Sequence, residues 1–270
     1  MGTGRIKPMR ASSVLTTLVL ILSPNAIDFA VQKPALSASA DEILRKNIEA
    51  SGGRQKLSAL RSLKMTGKMI TPPISEGGGP NPKQESPAMP TTIWVKRPAL
   101  VRMEMTVGSD TMVNIFDGIK AWSTKPGSKS FEELSGDVLE RLIAGLLKGM
   151  SEFGRPLEFY RDKNLPVETI GSERLESREV YKLKMPRKDA DAIYVFVDKA
   201  NFTKLKQSEI YRDLDLDTYY GDYRGVDGLF LPHYVEHRAM SDQAFSKIII
   251  EKLELNVAMD DSLFRPSLGR

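Results

Sequence analysis

The sequence contains no cysteine and only two histidines among its 270 residues. Without cysteine the chain cannot form a disulfide or a thiolate metal site, and it lacks the acylated cysteine that anchors bacterial lipoproteins. Most hydrolase and metal mechanisms need a histidine base or ligand, so the scarcity of histidine argues against an enzyme. We therefore expect a binding protein without catalytic residues, a metal site or a cofactor.

The excess of positive charge is small once the amino-terminal segment is set aside. The formal net charge is +4, but residues 1–40 contain four basic residues and one acidic residue. The remaining chain has 35 basic residues against 34 acidic ones. This balance gives no electrostatic basis for binding nucleic acid.

The first forty residues have the pattern of an export signal. Three basic residues within the first ten precede an apolar run at residues 11–22, which is too short for a membrane-spanning helix of about 20 residues. Small residues at Ala38 and Ala40 fit a cleavage site, although they lie far from the apolar run. We predict cleavage near Ala40 and a soluble single domain over residues 41–270; the alternative is an uncleaved membrane anchor.

Strand patterns dominate the chain from residue 63 onward. Val101, Met103 and Met105 fall on one face of a strand with period two, and Met65 and Met69 share a face of the strand before it. Methionine is flexible and suits surfaces that accommodate variable apolar ligands, but filling gaps in an ordinary core is its commoner role. The strands are predicted at residues 63–70, 91–96, 100–107, 110–116, 119–125, 167–174, 179–185, 192–198, 205–211 and 246–257, with a hairpin between the last two.

Residues 71–90 interrupt the strand pattern with six prolines and three consecutive glycines. Such a composition can neither continue a strand nor bury much apolar surface. It predicts a long mobile loop between the first two strands.

The apolar period changes to nearly four at residues 131–150. Val138, Leu142 and Leu146 belong to one apolar row, and charged residues occupy the opposite side. The pattern predicts an amphipathic helix that buries its apolar stripe on one face of the sheet. With about ten or eleven strands, we expect an α+β fold that is mainly antiparallel β, with a strongly curved sheet covered by helices.

Two patterns imitate metal sites. Asp213, Asp215 and Asp217 have the spacing that begins a calcium loop, but the glycine and glutamate that complete the loop are missing. We expect residues 213–217 to belong to a strand with one solvent-exposed face. His233 and His237 fall on a predicted strand, where four residues span about 13 Å, which is too far for one metal ion. We expect both histidines to be ordinary surface or rim residues.

A predicted β-hairpin over residues 217–236 is the most distinctive pattern in the chain. Two runs rich in aromatic and β-branched residues flank Asp227-Gly228, a pair typical of a tight turn. A double glycine, Gly52-Gly53, follows a predicted opening helix, and a strand and tail cover residues 250–264. Together these segments resemble the LolA-like family of bacterial outer-membrane lipoprotein-sorting proteins.

The resemblance implies a periplasmic half-barrel whose helices act as a lid over an apolar cavity for acyl chains. It implies a carrier of lipoproteins or other amphiphilic lipids toward the outer membrane, served by inner-membrane donor and outer-membrane acceptor proteins. We expect a monomer. The alternatives are a lipid- or lipoprotein-sensing regulatory domain similar to RseB, and a structural envelope protein without a ligand. The candidate lipid-binding residues are Met65, Met69, Val101, Met103, Met105, Val138, Leu142 and Leu146.

Overall fold

The computed structural model describes residues 38–73, 86–136, 138–155, 157, 166–187, 191–211, 214–239 and 243–266. The export signal predicted at residues 1–40 lies almost entirely outside these ranges, and so does most of the loop predicted at residues 71–90. The described residues belong to one compact unit.

One antiparallel sheet organises this unit. Its strands are β1 (Ser62–Ile70), β2 (Met89–Lys96), β3 (Leu100–Val107), β4 (Asp110–Phe116), β5 (Ala121–Thr124), β6 (Phe131–Glu133), β7 (Glu168–Leu175), β8 (Arg178–Met185), β9 (Ile193–Asp198), β10 (Lys204–Tyr211), β11 (Leu214–Val226), β12 (Leu229–Ala239) and β13 (Gln243–Leu255). Their spatial order is β6-β5-β4-β3-β2-β1-β13-β12-β11-β10-β9-β8-β7. The sheet is therefore open and curved, as expected, and the first strand pairs with the last.

The predicted ranges and the two strands of the hairpin already make twelve, not ten or eleven, and the described residues form thirteen strands. One unexpected strand is β6, whose three residues pair with β5 and are too few to show a period of two. Because β6 occupies the start of the segment predicted as a helix, the helix α3 begins at Val138 instead of residue 131 and ends at Ser151.

The predicted hairpin is confirmed as β11 and β12. Asp227 and Gly228 form its two-residue turn with φ values of 48° and 77°, as such turns between twisted strands require. Gly52 packs against this turn: a Cβ on Gly52 would lie 2.3 Å from the Gly228 carbonyl oxygen. The double glycine and the hairpin turn, 176 residues apart, therefore form one contact.

Two helices cover two different parts of the sheet's inner face. The first, α1 (Ala40–Ala50), is capped by the Ser39 hydroxyl, which accepts a hydrogen bond from the Glu42 N–H, and a short α2 (Arg54–Ala59) follows it. Ile43 and Leu44 of α1 pack with buried residues of β8 and β9. In contrast, α3 contacts β2, β3, β4, β5 and β11. The predicted placement of an amphipathic helix on one sheet face is confirmed.

The predicted alternation in β3 is also confirmed. Val101, Met103 and Met105 are all buried, and Met103 lies between Ile93 of β2 and Asn114 of β4 as their cross-strand neighbour. None of the described helices is long and apolar enough to cross a membrane.

Candidate functional site

A cavity of about 340 Å³ lies between α3 and the inner face of β1 to β4. Its volume falls within the range of about 300–1,000 Å³ typical of small-molecule sites, and it is more than twice an engineered apolar cavity of about 150 Å³ that stays dry and binds benzene. The described lining consists of Met69, Thr71, Pro72, Pro73, Ser86, Met89, Met103, Met105, Val107, Met112, Asn114, Pro126, Leu142, Ile143 and Leu146.

Methionine is the commonest residue of this lining, with five of the fifteen positions. Unbranched thioether side chains can change rotamer at little cost, so such a wall can adapt to apolar ligands of different shape. No described lining residue is titratable. The described lining therefore suits an uncharged, flexible hydrocarbon chain.

The structure brings most of the predicted lipid-binding residues together. Five of them line the cavity: Met69, Met103, Met105, Leu142 and Leu146. Met65 and Val101 are buried in the same apolar cluster but are not among the cavity-lining residues. The side chain of Val138 lies outside the described part of the structure. The role of these residues in binding lipid stays a prediction.

Sequence reasoning missed Asn114, the most unusual residue of the lining. Its side chain is completely buried, and neither Oδ1 nor Nδ2 has a hydrogen-bond partner. Leaving such a buried polar group unpaired costs about 1–3 kcal/mol. A signal was available, because period two in β4 places Asn114 on the face of Met112 and Phe116, where a polar residue is out of pattern.

The carboxyl end of α3 is held by polar contacts from the residue after β2 and from β10. Arg97 donates hydrogen bonds to the carbonyl oxygens of Ser151 (2.6 Å) and Phe153 (2.5 Å), and Lys148 pairs with the buried Glu209 at 2.8 Å. Burial and the nearby Arg155 lower the pKa of Arg97 to about 10, so the guanidinium stays charged at neutral pH. The cavity lies under the preceding turns, around Leu142 and Leu146.

Both histidines lie on β12, as the strand prediction required, but the expected surface or rim position is wrong. His233 is 4% exposed and His237 is fully buried, because both lie on the face of β12 that also carries the buried Leu231, Val235 and Ala239. α3 lies over His237: a Cβ on Gly149 would be 3.7 Å from its Nε2. Burial lowers the pKa of His237 to about 3, so the ring is neutral.

The prediction of a strand with one solvent-exposed face is confirmed for β11, which the structure describes from Leu214 onward. In β11, Asp215 is exposed and Leu216 is buried, whereas Asp213 lies outside the described residues. Within the described ranges, no three His, Cys, Asp or Glu side chains are grouped so as to hold a metal ion.

Comparison with solved structures identifies the fold. A LolA superfamily protein from Nitrosomonas europaea superposes with a TM-score of 0.55 at 14% identity, covering 85% of this chain and 98% of that one. The chain has a LolA-like fold. Similar coverage is found for a domain named for outer membrane lipoprotein sorting from Vibrio parahaemolyticus, with a TM-score of 0.52, 14% identity, and 82% and 97% of the two chains.

The chain also resembles a protein of another named family. A DUF1329 family protein from Desulfovibrio piger superposes with a TM-score of 0.53 at 11% identity, covering 86% of this chain and 99% of that one. No protein-family model and no curated protein sequence matches the chain. At identities of 11–14% the likeness establishes the fold alone, and the function has to be argued from the cavity and its lining residues.

Proposed function

We propose that this protein is a periplasmic carrier that binds acyl chains of lipoproteins or other lipids and moves them toward the outer membrane. The observation that carries the proposal is the methionine-walled cavity beneath α3 of a LolA-like fold. An acyl chain exposed to water costs about 0.8 kcal/mol per CH₂ group, so moving lipid between membranes requires an apolar container. The role is binding without catalysis.

A carrier also needs an entrance, which α3 supplies in this proposal. Leu142, Ile143 and Leu146 form the cavity wall contributed by α3, while Arg97 and Lys148 hold its carboxyl end. Displacement of the amino-terminal turns, with the carboxyl end as the fixed point, opens the cavity to a lipid. Inner-membrane donor and outer-membrane acceptor proteins are the proposed partners.

The open volume weighs against the structural alternative, because a structural envelope protein needs a filled core. A lipid-sensing regulator uses the same cavity but does not move lipid between membranes. Mixing the protein with labelled donor vesicles and unlabelled acceptor vesicles separates the two roles. We expect a carrier to accelerate transfer in proportion to its concentration, whereas a sensor retains the lipid it binds.

The carrier proposal predicts that the native protein contains lipid and that filling the cavity removes it. Met112 lines the cavity, whereas Thr111 on the same strand is exposed. Met112→Trp is expected to lower the lipid recovered by organic extraction and mass spectrometry at least severalfold, and Thr111→Trp to leave it unchanged. Recovery of equal lipid from both folded variants, or of none from the unmodified protein, contradicts the proposal.

A further inference from the structure

Asn114 brings one unpaired carboxamide to the wall of a cavity whose other described lining residues are apolar apart from Thr71 and Ser86. Its side chain is fully buried, and both Oδ1 and Nδ2 lack partners. Its cross-strand neighbours are Met103 and Ser123. The Ser123 hydroxyl donates to the Thr124 carbonyl oxygen at 3.1 Å and Met103 has no strong hydrogen-bonding group. Neither neighbour therefore supplies a partner for the amide, and because Asn114 lines the cavity, a ligand bound there is the candidate partner.

The chemistry of a carboxamide defines that partner. Asn offers an N–H donor and a C=O acceptor on one planar edge. A protonated carboxyl group or a primary carboxamide presents the complementary acceptor and donor, and can form two parallel hydrogen bonds with this edge. An ester accepts but cannot donate, so it leaves Oδ1 unpaired, and a hydrocarbon leaves both atoms unpaired.

The lining also selects the charge state of a carboxyl ligand. No described lining residue is Asp, Glu, His, Lys or Arg, so nothing charged faces Asn114 from the strands or from α3. Transfer of a carboxylate into such a cavity is unfavourable, and burial raises the pKa of a carboxyl group. The bound form is therefore the neutral acid.

We propose that Asn114 is the head-group site of the cavity and pairs with the neutral carboxyl or carboxamide end of a single-chain amphiphile. The alkyl chain then lies along the methionine wall, and the head group is the innermost part of the ligand. This inference rests on the proposed function and narrows its cargo from lipoproteins to other lipids, because it selects a free terminal carboxyl or carboxamide over chains that are esterified.

A ligand series of equal chain length tests the pairing. Binding of decanoic acid, decanamide and methyl decanoate to the full chain is measured by calorimetry at pH 5 and pH 8. We expect decanamide to bind about tenfold more tightly than the ester at both pH values, since a net hydrogen bond to a buried group is worth this order. Binding of decanoic acid weakens at pH 8, because free carboxyl groups ionise above a pKa of about 4.3 and only the neutral acid enters.

Asn114→Leu removes both polar atoms at similar volume and is the decisive variant. We expect it to lose the preference for the amide and to bind the ester at least as tightly, because the amide N–H groups are then left unpaired. Met112→Leu changes the same wall but keeps the amide, so it is expected to shift all three affinities together and preserve their order. The ligand-free Asn114→Leu protein should unfold at the same temperature as the unmodified protein or higher, because an unpaired buried group has been removed.

Four results overturn the inference. An unchanged order of affinities in Asn114→Leu assigns ligand choice to other residues, and a lower unfolding temperature of that variant without ligand assigns Asn114 a role in the fold. Equal binding of the three ligands by the unmodified protein refutes the head-group site but leaves the carrier proposal standing. Failure of all three to bind, together with no lipid on extraction, refutes both.

Discussion

His237 shows how one residue can make the stability of this sheet depend on pH. It is fully buried, and its Nδ1 lies 3.0 Å from the Ser246 hydroxyl. Burial lowers its pKa from 6.5 to about 3. Between these two values the unfolded chain binds a proton that the folded chain does not, so the free energy of unfolding falls as the pH drops from 6.5 toward 3.

Replacing this histidine is expected to remove that part of the acid sensitivity. Between pH 7 and pH 3 the free energy of unfolding, measured by urea titration, should fall by about 4 kcal/mol less in His237→Gln than in the unmodified protein. This figure follows because a pKa difference of one unit corresponds to about 1.36 kcal/mol. The difference at pH 7 gives the packing cost of the substitution and serves as the control. A stability difference that is the same at both pH values contradicts the prediction.

The double glycine offers a second test at the scale of single residues. Gly52 and Gly53 both have positive φ, 109° and 92°. A Cβ on Gly52 meets the Gly228 carbonyl oxygen at 2.3 Å, whereas one on Gly53 meets nothing within 4 Å. The pair therefore separates backbone strain from steric contact.

We expect Gly52→Ala to lower the unfolding temperature clearly more than Gly53→Ala. Both substitutions place a side chain at a positive φ, which destabilises the folded state by more than about 0.4–1 kcal/mol. Only Gly52→Ala also forces the hairpin turn away from α1. Thermal denaturation followed by circular dichroism measures the difference. Equal destabilisation by the two changes would show that the turn moves freely away from Gly52.

At the scale of elements, α3 is the part of the fold on which the carrier proposal depends. It contacts β2 to β5 in one half of the strand order and β11 in the other half, and Leu142 is 1% exposed. Burying an unpaired carboxylate at a fixed core position costs several kcal/mol, enough to unfold a domain whose total stability is about 5–15 kcal/mol. A helix that can swing into water avoids this cost.

We therefore predict that Leu142→Asp keeps the β-sheet signal in circular dichroism and abolishes binding of a fluorescent fatty acid. The core control is Ile248→Asp, because Ile248 is 2% exposed whereas its neighbour Ile249 is 36% exposed and faces outward. Ile248→Asp is expected to unfold the protein, and Ile249→Asp to leave it folded and binding. If Leu142→Asp unfolds the chain as completely as Ile248→Asp, α3 is a fixed core element.

At the scale of the whole molecule, residues 38–50 help to cover β7, β8 and β9. The Ala38 carbonyl oxygen accepts a hydrogen bond from the Thr169 hydroxyl at 3.2 Å, and Ser39 caps α1. Cleavage after Ala40, which the small residues predict, removes both contacts. The predicted cleavage site and the packing of α1 are therefore in tension.

We expect a chain that begins at Asp41 to unfold at a lower temperature than one that begins at Ala38, since loss of a serine cap costs about 1 kcal/mol. Ser39→Ala in the longer chain separates the cap from the contact of Ala38 with β7. Amino-terminal sequencing of the native protein then shows which start is used. Equal unfolding temperatures for the two chains would mean that these contacts do not stabilise α1.

Local patterns in the sequence determined most of the secondary structure and one face of the site. Period two placed Met103 and Met105 on the buried side of β3, and Asp227-Gly228 specified the hairpin turn, because both depend only on neighbouring residues and backbone geometry. Period near four likewise predicted the buried row that contains Leu142 and Leu146. These signals are local, so they are readable without the fold.

Only the tertiary structure decided which of these local faces meet and what they enclose. Asn114 becomes a candidate binding group because β4 pairs with β3 beneath α3 and leaves its amide without a partner. His237 is buried because α3 covers the face of β12 on which it lies, and Lys148 pairs with Glu209 across 61 residues of sequence. Such contacts depend on strand order and on helix placement over an open sheet, which are set by pairing between distant segments and leave no period in the sequence.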